Sequence, residues 1–121
     1  MTESSVTGQG CGLRLAESKC VPCAGGVPPL KGKQLDKLAR EIPAWHVVNE
    51  HHLAKTFKFA NFVKSLEFVN RVGAIAEEQG HHPWIHFTWG KATIEIWTHK
   101  IDGLTESDFV LAAKIDALPR S

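Results

Sequence analysis

Apolar residues recur with a helical period in three segments of the 121-residue chain. In the first segment, spacing at i, i+3, i+4 and i+7 predicts a short amphipathic helix that Pro43 ends, because proline disrupts helical hydrogen bonding. These apolar positions are Leu35, Leu38, Ala39 and Ile42. The second segment predicts a long helix, which Asn61 caps and which runs to about Gln79. Gly80 suits the left-handed position that ends such a helix.

The stripe of the long helix is wide, which predicts that most of its surface is buried. Its members are Phe62, Leu66, Val69, Gly73 and Ala76, joined by Phe68, Val72 and Ile75. The third helix is predicted to begin at Thr105, because Thr105 and Asp108 have the spacing of a capping box. Its stripe consists of Leu111, Ile115 and Leu118.

Alternating apolar and polar residues predict four strands arranged as two hairpins. The segments are 45–48, 53–59, 84–89 and 92–98. A polar tripeptide at 49–51 joins the first pair, and Gly90-Lys91 is predicted as the tight turn of the second. In the last strand Ala92, Ile94 and Ile96 share one face, whereas Thr93, Glu95 and Trp97 share the other.

The order helix, hairpin, helix, hairpin, helix predicts an α+β fold, with a four-stranded antiparallel sheet and three helices packed on one face. Residues 31–121 form this domain, and residues 1–30, rich in Gly, Ser, Thr and Pro, are predicted as an irregular N-terminal arm. Trp97 lies on the face without helices. Trp97 either forms part of an interface or of the wall of a ligand site, or it is only a partly buried side chain at the margin of the sheet.

Charge and composition exclude several classes of function. A formal net charge of +1 and the lack of a long basic run give no reason to expect nucleic acid or acidic membranes as partners. The apolar runs are far shorter than the ~20 residues that span a bilayer, and the N-terminus does not resemble a secretory signal. Three cysteines cannot form a self-contained disulfide framework. We therefore expect a cytoplasmic protein.

Histidines provide the candidate chemistry. His81 and His82 lie between the end of the long helix and Pro83, which forces His82 into extended backbone. His99 follows the last strand, and in a hairpin the start of one strand lies beside the end of its partner. The three histidines are therefore predicted to meet at one end of the sheet, near the start of the Thr105 helix.

Three interpretations of this convergence compete. In the first, the histidines are surface residues with no common role. In the second they are the ligands of a three-histidine zinc site, and in the third they are acid–base catalysts. An adjacent pair is awkward for one tetrahedral ion, and no compact metal motif is present, so acid–base chemistry is favoured. Asp108 could orient an imidazole or only cap its helix, and Glu77 could face the cleft or only solvent. The remaining histidines are predicted to be structural: His46, His51, His52 and His86.

The cysteine pair in Cys20-Val21-Pro22-Cys23 has the CxxC spacing of metal or redox motifs. A tetrathiolate site within one chain is impossible, because the chain has only three cysteines. No βαβ pattern surrounds the pair, as a thioredoxin-like motif would require.

The segment EEQGHHPWIHFTWGKATIEIWTHKIDGLTESDFVLAAKID resembles the pterin-4a-carbinolamine dehydratase family. Nearer the start of the chain, KCVPCAGG is similar to the N-terminal arm of bacterial-type members of that family. The likeness covers about residues 34–118. The matching residues are Glu77, His81-His82-Pro83, Trp89, Lys91, Thr98-His99, Gly103-Leu104, Asp108 and Leu111-Ala112. The resemblance implies a four-stranded antiparallel sheet with three helices on one face, and homodimers or homotetramers built through sheet edges and helices.

The resemblance also implies an activity without metal or cofactor. The pterin substrate would be 4a-hydroxytetrahydropterin, which aromatic amino acid hydroxylases produce, and the products would be quinonoid dihydropterin and water. His81, His82 and His99 would surround the pterin, Asp108 would orient an imidazole, and Glu77 would assist. Two further motif positions, Pro83 and Thr98, are expected to contact substrate. A binding-only or transcription-linked module is the alternative, since a family match does not fix function.

Overall fold

The computed structural model describes residues 12–18 and 28–119. Its helices are α1 (Gly12–Glu17), α2 (Gly32–Ala39), α3 (Phe62–Gln79) and α4 (Glu106–Asp116). Its strands are β1 (His46–Val48), β2 (His52–Lys58), β3 (Trp84–Thr88) and β4 (Lys91–Ile96), and a 3₁₀ turn covers His99–Ile101. In this part of the chain, no helix is both long and apolar enough to cross a membrane.

The four strands form one antiparallel sheet in the order β1-β2-β4-β3. The two hairpins meet through β2 and β4, where Leu53 lies opposite Ile96 and Phe57 lies opposite Ala92. This pairing leaves β1 and β3 at the two edges. The α+β class and the four-stranded antiparallel sheet predicted from the sequence are confirmed.

The core lies between the sheet and the helices. On β4, Ala92, Ile94 and Ile96 are buried and alternate with less buried residues, as the period of a half-covered strand requires. Helix α4 contacts each of the other three helices. It is consequently buried nearly all round, from Ser107 to Ala113 and again at Ile115.

Helix α1 is a regular element within the segment predicted as an irregular arm. Leu15 is buried against the core, and Lys114 Nζ on α4 donates a hydrogen bond to the Ala16 carbonyl at 2.7 Å. Residues 1–11 and 19–27, which include the three cysteines and the CxxC pair, lie outside the described residues.

The chain just before α2 crosses the loop that follows His99. The Leu30 N–H donates to the Leu104 carbonyl at 2.8 Å. A Cβ on Gly103 would lie 2.6 Å from the Pro29 Cβ, a distance that real side chains do not reach. Residue 103 is therefore a glycine for lack of space, since a rigid proline ring fills the position of its side chain.

Helix α3 buries a narrower face than its apolar pattern predicts. The buried residues are Ser65, Phe68, Val72 and Ala76. Ser65 is docked onto the sheet, because its Oγ donates to the Thr88 carbonyl at 3.0 Å. Phe62, Val63 and Leu66 lie outside this buried face and are exposed, and Phe62 stacks on Phe87 of the edge strand. Of the stripe that was predicted to be mostly buried, Phe62, Leu66 and Gly73 are instead exposed.

The tight turn of the second hairpin is Trp89-Gly90 rather than Gly90-Lys91, because Lys91 is already paired with Thr88. Gly90 has φ +74°, a left-handed conformation that favours glycine, and its carbonyl accepts from the Phe59 N–H at 2.8 Å. The turn is thus shifted by one residue from its predicted position.

Both predicted ends of α3 are present. The Asn61 side chain accepts a hydrogen bond from the Lys64 N–H at 2.9 Å, and Gly80 adopts φ +65° in the left-handed region. These contacts satisfy backbone groups that have no partner within the helix. The helix that leads into His81 therefore has a defined start and a defined end.

We expect Asn61→Ala to lower the free energy of unfolding by about 1 kcal/mol, because the Lys64 N–H loses its acceptor. Urea denaturation followed by circular dichroism measures the change. Asn70→Ala is the matched control, because it makes the same substitution at an exposed position inside α3. It should not be destabilising, since alanine has the higher helix propensity. Equal losses in the two variants would contradict the capping role.

Candidate active site

The end of α3 fixes the position of His81. Gly80 turns the chain through the left-handed region, and the His81 N–H then donates back to the Ala76 carbonyl at 3.1 Å. This pattern is a Schellman-type helix end, which anchors the residue that follows the glycine. The His81 backbone is therefore tied to α3 before the chain enters β3.

The His81 side chain reaches across to α4. Its Nε2 lies 2.5 Å from Asp108 Oδ1, and the two side chains are 15% and 0% exposed. A hydrogen bond between an imidazole and a carboxylate shielded from water is much stronger than one at the surface. Asp108 therefore holds the ring of His81 in one orientation.

Asp108 serves as both a helix cap and a histidine partner. Its Oδ2 accepts from the Thr105 N–H and from the Thr98 hydroxyl, both at 2.8 Å, while Oδ1 faces His81. The two roles weighed for this residue from the sequence are thus filled by different oxygens of one carboxylate. Because Thr98 immediately precedes His99, the same carboxylate links the end of α3, the start of α4 and the end of β4.

The contact with Asp108 determines which nitrogen of His81 is available to a ligand. An ionised carboxylate only accepts hydrogen bonds, so Nε2 must be the donor in this pair. Nδ1 is then the ring nitrogen that remains for chemistry. His81 is in this way oriented in both position and tautomer, the arrangement that an acid–base imidazole requires.

His82 belongs to a separate and more exposed pair. Its Nε2 lies 3.0 Å from Oε1 of Glu77 in the last turn of α3, and both side chains are largely exposed. Pro83 follows as a half-buried residue at the entrance to β3. Glu77 thus orients His82 as Asp108 orients His81, but in contact with water.

His99 is held by ring packing. It opens the 3₁₀ turn after β4, and its ring centroid lies 4.6 Å from that of Trp97. Trp97 also contacts His51 at 5.2 Å and His52 at 5.7 Å between ring centroids. The half-buried Trp97 therefore joins His99 to the turn between β1 and β2.

The structure joins His81, Asp108 and Thr98 in one hydrogen-bonded network, and Thr98 carries the chain directly into His99. The pair formed by His82 and Glu77 is separate from this network. Sequence reasoning assigned no role to His51 and His52, which contact the same Trp97 ring as His99. This proximity depends on the register between the two hairpins, which the local sequence does not reveal. Leu53 lies opposite Ile96 in the antiparallel pair, and the next residues outward are His52 and Trp97.

Metal binding has no support in the described part of the chain. Residues 12–18 and 28–119 contain no group of three or more His, Cys, Asp or Glu side chains that could hold a metal ion. Each of His81 and His82 instead directs one ring nitrogen to a single carboxylate. An imidazole oriented by one carboxylate in this way suits proton transfer.

Comparison with known sequences gives a consistent family. Residues 28–118 match the family model described as pterin 4 alpha carbinolamine dehydratase. A protein of Rubrobacter xylanophilus is 66% identical over 104 residues, covering 86% of this chain and 97% of its own length. A protein of Rickettsia canadensis is 56% identical over 104 residues, covering 85% and 95%. Both carry names that assign them provisionally to the pterin-4-alpha-carbinolamine dehydratases.

Solved structures agree on the fold and carry more varied titles. A Brucella melitensis protein titled transcriptional coactivator/pterin dehydratase superposes with a TM-score of 0.69 at 26% identity, over 74% of this chain and 96% of that one. A pterin dehydratase-like protein titled a RuBisCO assembly factor in the alpha-carboxysome gives 0.54 at 26% identity, over 61% and 87%. The family resemblance predicted from the sequence is confirmed.

We expect Asp108→Asn to lower the free energy of unfolding by about 2–4 kcal/mol, because a neutral amide offers one acceptor oxygen where the buried carboxylate accepts from three donors. Urea denaturation measures the loss. Glu77→Gln makes the same change in the exposed pair with His82 and should leave the urea midpoint unchanged. If Asp108→Asn were as stable as Glu77→Gln, the buried network would not support the fold.

Proposed function

The chain belongs to the pterin-4a-carbinolamine dehydratase family, and from this premise we propose that it dehydrates 4a-hydroxytetrahydrobiopterin to quinonoid dihydropterin and water. The observation that carries the proposal is the oriented His81, whose Nε2 is bound to buried Asp108 within the family motif. A protein that served only as a scaffold would have no need of a histidine oriented in this way.

The reaction requires two proton transfers. The bond between C4a and the hydroxyl oxygen breaks, and an acid must protonate that oxygen so that it leaves as water. A base removes a proton from a ring nitrogen, so that the products balance the substrate. Imidazoles can donate and accept protons near neutral pH, which suits both steps.

We assign the catalytic contacts to His81, His82 and His99. His81 exchanges its proton through Nδ1, because Asp108 occupies Nε2. Glu77 similarly leaves Nδ1 of His82 for the substrate. Pro83 and Thr98 shape the site, the first at the entrance to β3 and the second immediately before His99. The carbinolamine arises when aromatic amino acid hydroxylases oxidise tetrahydropterin, so we place this chain in tetrahydropterin recycling.

A second candidate is a non-catalytic pterin-binding or protein-interaction module. The titles of the two solved relatives name a transcriptional coactivator and an assembly factor. This chain also exposes apolar side chains on α3 and the edge strand β3, as a protein-binding surface would. They are Phe62, Val63, Leu66 and Phe87. Absence of turnover in a folded protein would favour this candidate.

We further propose that the exposed apolar residues of α3 and the free edge of β3 bind a second copy of the chain, giving a homodimer or homotetramer. An unpaired edge strand offers backbone groups for pairing, and contiguous apolar surface is costly in water. The two features lie side by side, since Phe62 of α3 stacks on Phe87 of β3.

Alanine at His81, His82 or His99 should each lower kcat for carbinolamine dehydration by about 10²- to 10⁴-fold, the usual contribution of one general acid or base. The assay supplies 4a-carbinolamine generated chemically or by a hydroxylase. The losses should be non-additive, because the residues share one site. His46→Ala, at an exposed position on β1, is the control and should retain full activity.

Full activity in a folded His82→Ala/His99→Ala double variant would contradict the catalytic assignment. A chelator provides a separate arm of the assay. The proposed imidazole chemistry should survive it, whereas a zinc enzyme would lose activity and regain it with added zinc.

Light scattering should give a mass two or four times that of the 13.4 kDa chain. Leu66→Glu places a charge in the exposed apolar stripe and should shift the protein toward the single chain, because a buried unpaired charge is costly. Gln34→Glu adds the same charge at an exposed polar position on a different helix, α2, and is the matched control. A mass of 13.4 kDa for the unaltered protein would overturn the proposed assembly.

A further inference from the structure

A cluster of aromatic rings surrounds Trp97 on the sheet face that the helices leave open. Four rings lie within 6.2 Å of the Trp97 centroid, and they come from three parts of the chain. They are His51, His52, Trp84 and His99. His99 has the shortest centroid separation of the four, at 4.6 Å. The ring of a proposed catalytic residue thus forms part of the cluster.

A hydrogen bond ties the His99 turn to the same cluster. His51 Nε2 lies 2.7 Å from Oδ1 of Asp102, the residue that ends the 3₁₀ turn begun by His99. On its other side, His51 Nδ1 lies 3.0 Å from His52 Nδ1. The turn between β1 and β2 therefore contacts the His99 turn both through Trp97 and through Asp102.

The backbone closes the His99 turn into a short loop with little freedom. Thr98 and Gly103 form an isolated antiparallel bridge, in which the Thr98 N–H donates to the Gly103 carbonyl at 2.8 Å. Asp102 has φ +51°, a left-handed conformation unusual for a residue other than glycine. The Asp102 N–H donates to the His99 carbonyl at 3.2 Å. Movement of Asp102 would consequently move His99.

His99 differs from the other proposed catalytic histidines in how it is held. His81 and His82 each bind a carboxylate directly. In the described part of the chain His99 has no such partner, and its side chain is exposed. Its position must therefore come from the ring of Trp97 and from the loop that carries it.

We propose that His51, acting through Asp102, and Trp97 are positioning residues for His99. The inference rests on the proposed function, because it assigns a role within the dehydration site. Asp102 and His51 fix the far end of the loop, and Trp97 supplies the surface on which the His99 imidazole lies. The sequence had assigned His51 only a structural place.

Because the His51–Asp102 pair is exposed, its effect on catalysis can be measured apart from its effect on stability. The side chains of His51 and Asp102 are 32% and 86% exposed, and exposed ion pairs contribute little to folding. Loss of the contact should therefore leave the fold intact while it releases the loop. Small displacements of a reacting group are costly to a rate, because catalysis depends on near-attack geometry.

The test uses two substitutions at one position. Asp102→Gly removes the carboxylate but suits the left-handed backbone, whereas Asp102→Asn retains an acceptor oxygen for His51 and also tolerates that backbone. We expect Asp102→Gly to lower kcat about 10-fold by displacing His99. KM should change less than about 2-fold, because the ground-state contacts remain. Asp102→Asn should retain most of the activity, and His46→Ala is again the control.

A double-variant cycle sharpens the result. His51→Ala should reproduce the loss seen in Asp102→Gly, and the double variant should lose no more than either single one, since both break the same contact. Trp97→Leu should also lower kcat, with Trp97→Phe less affected because it keeps a ring under His99. Equal kcat in Asp102→Gly and the unaltered protein, or equal losses in Asp102→Gly and Asp102→Asn, would overturn the proposal.

A second readout separates this inference from the proposed function. Nitrogen-15 spectra of the imidazoles should show a shifted His99 signal in Asp102→Gly but not in Asp102→Asn or His46→Ala. If the unaltered protein had no dehydratase activity, the proposed function would fail, and the His99 signal alone would decide whether the contact positions that ring. An unshifted His99 signal in that case would overturn the positioning role.

Discussion

The candidate site depends on one buried carboxylate. Asp108 accepts three hydrogen bonds, from the His81 ring, the Thr98 hydroxyl and the Thr105 backbone. These donors come from three elements: the end of α3, the segment after β4 and the start of α4. A carboxylate without exposure to water is tolerated only when its acceptor sites are filled. The packing of α4 and the orientation of the His81 ring therefore depend on the same hydrogen-bonded carboxylate.

Local signals in the sequence predicted most of the fold. Asn61, Gly80 and the Thr105–Asp108 spacing mark helix ends, and each acts through hydrogen bonds within a few residues. The alternation along β4 predicted its buried face, because a strand period of two needs no knowledge of the partner. His81, His82 and His99 were recognisable as candidates for the same reason: they adjoin predicted ends of helices and strands. The family motif added Pro83 and Thr98, and it assigned a role in the site to Glu77 and Asp108, which their positions had already marked as candidates.

Features set by long-range packing could not be predicted in this way. The apolar pattern of α3 is wider than the face that is buried, and the packing of the helix in the folded chain selects Phe68, Val72 and Ala76 from it. The proximity of His51 to the His99 turn depends on the register between two hairpins, and no local residue specifies it. Helix α1 gains its place from Leu15 against the core and from Lys114, which lies 98 residues after Ala16.

Gly103 and Pro29 form a steric pair at the base of the His99 loop. With 2.6 Å between the Pro29 Cβ and any Cβ added at position 103, only one of the two positions can carry a side chain there. Alanine at 103 would require a smaller residue at 29 or a shift of the segment that Leu30 anchors to Leu104. Position 103 can therefore gain a side chain only if position 29, more than seventy residues earlier in the chain, becomes smaller or its segment moves.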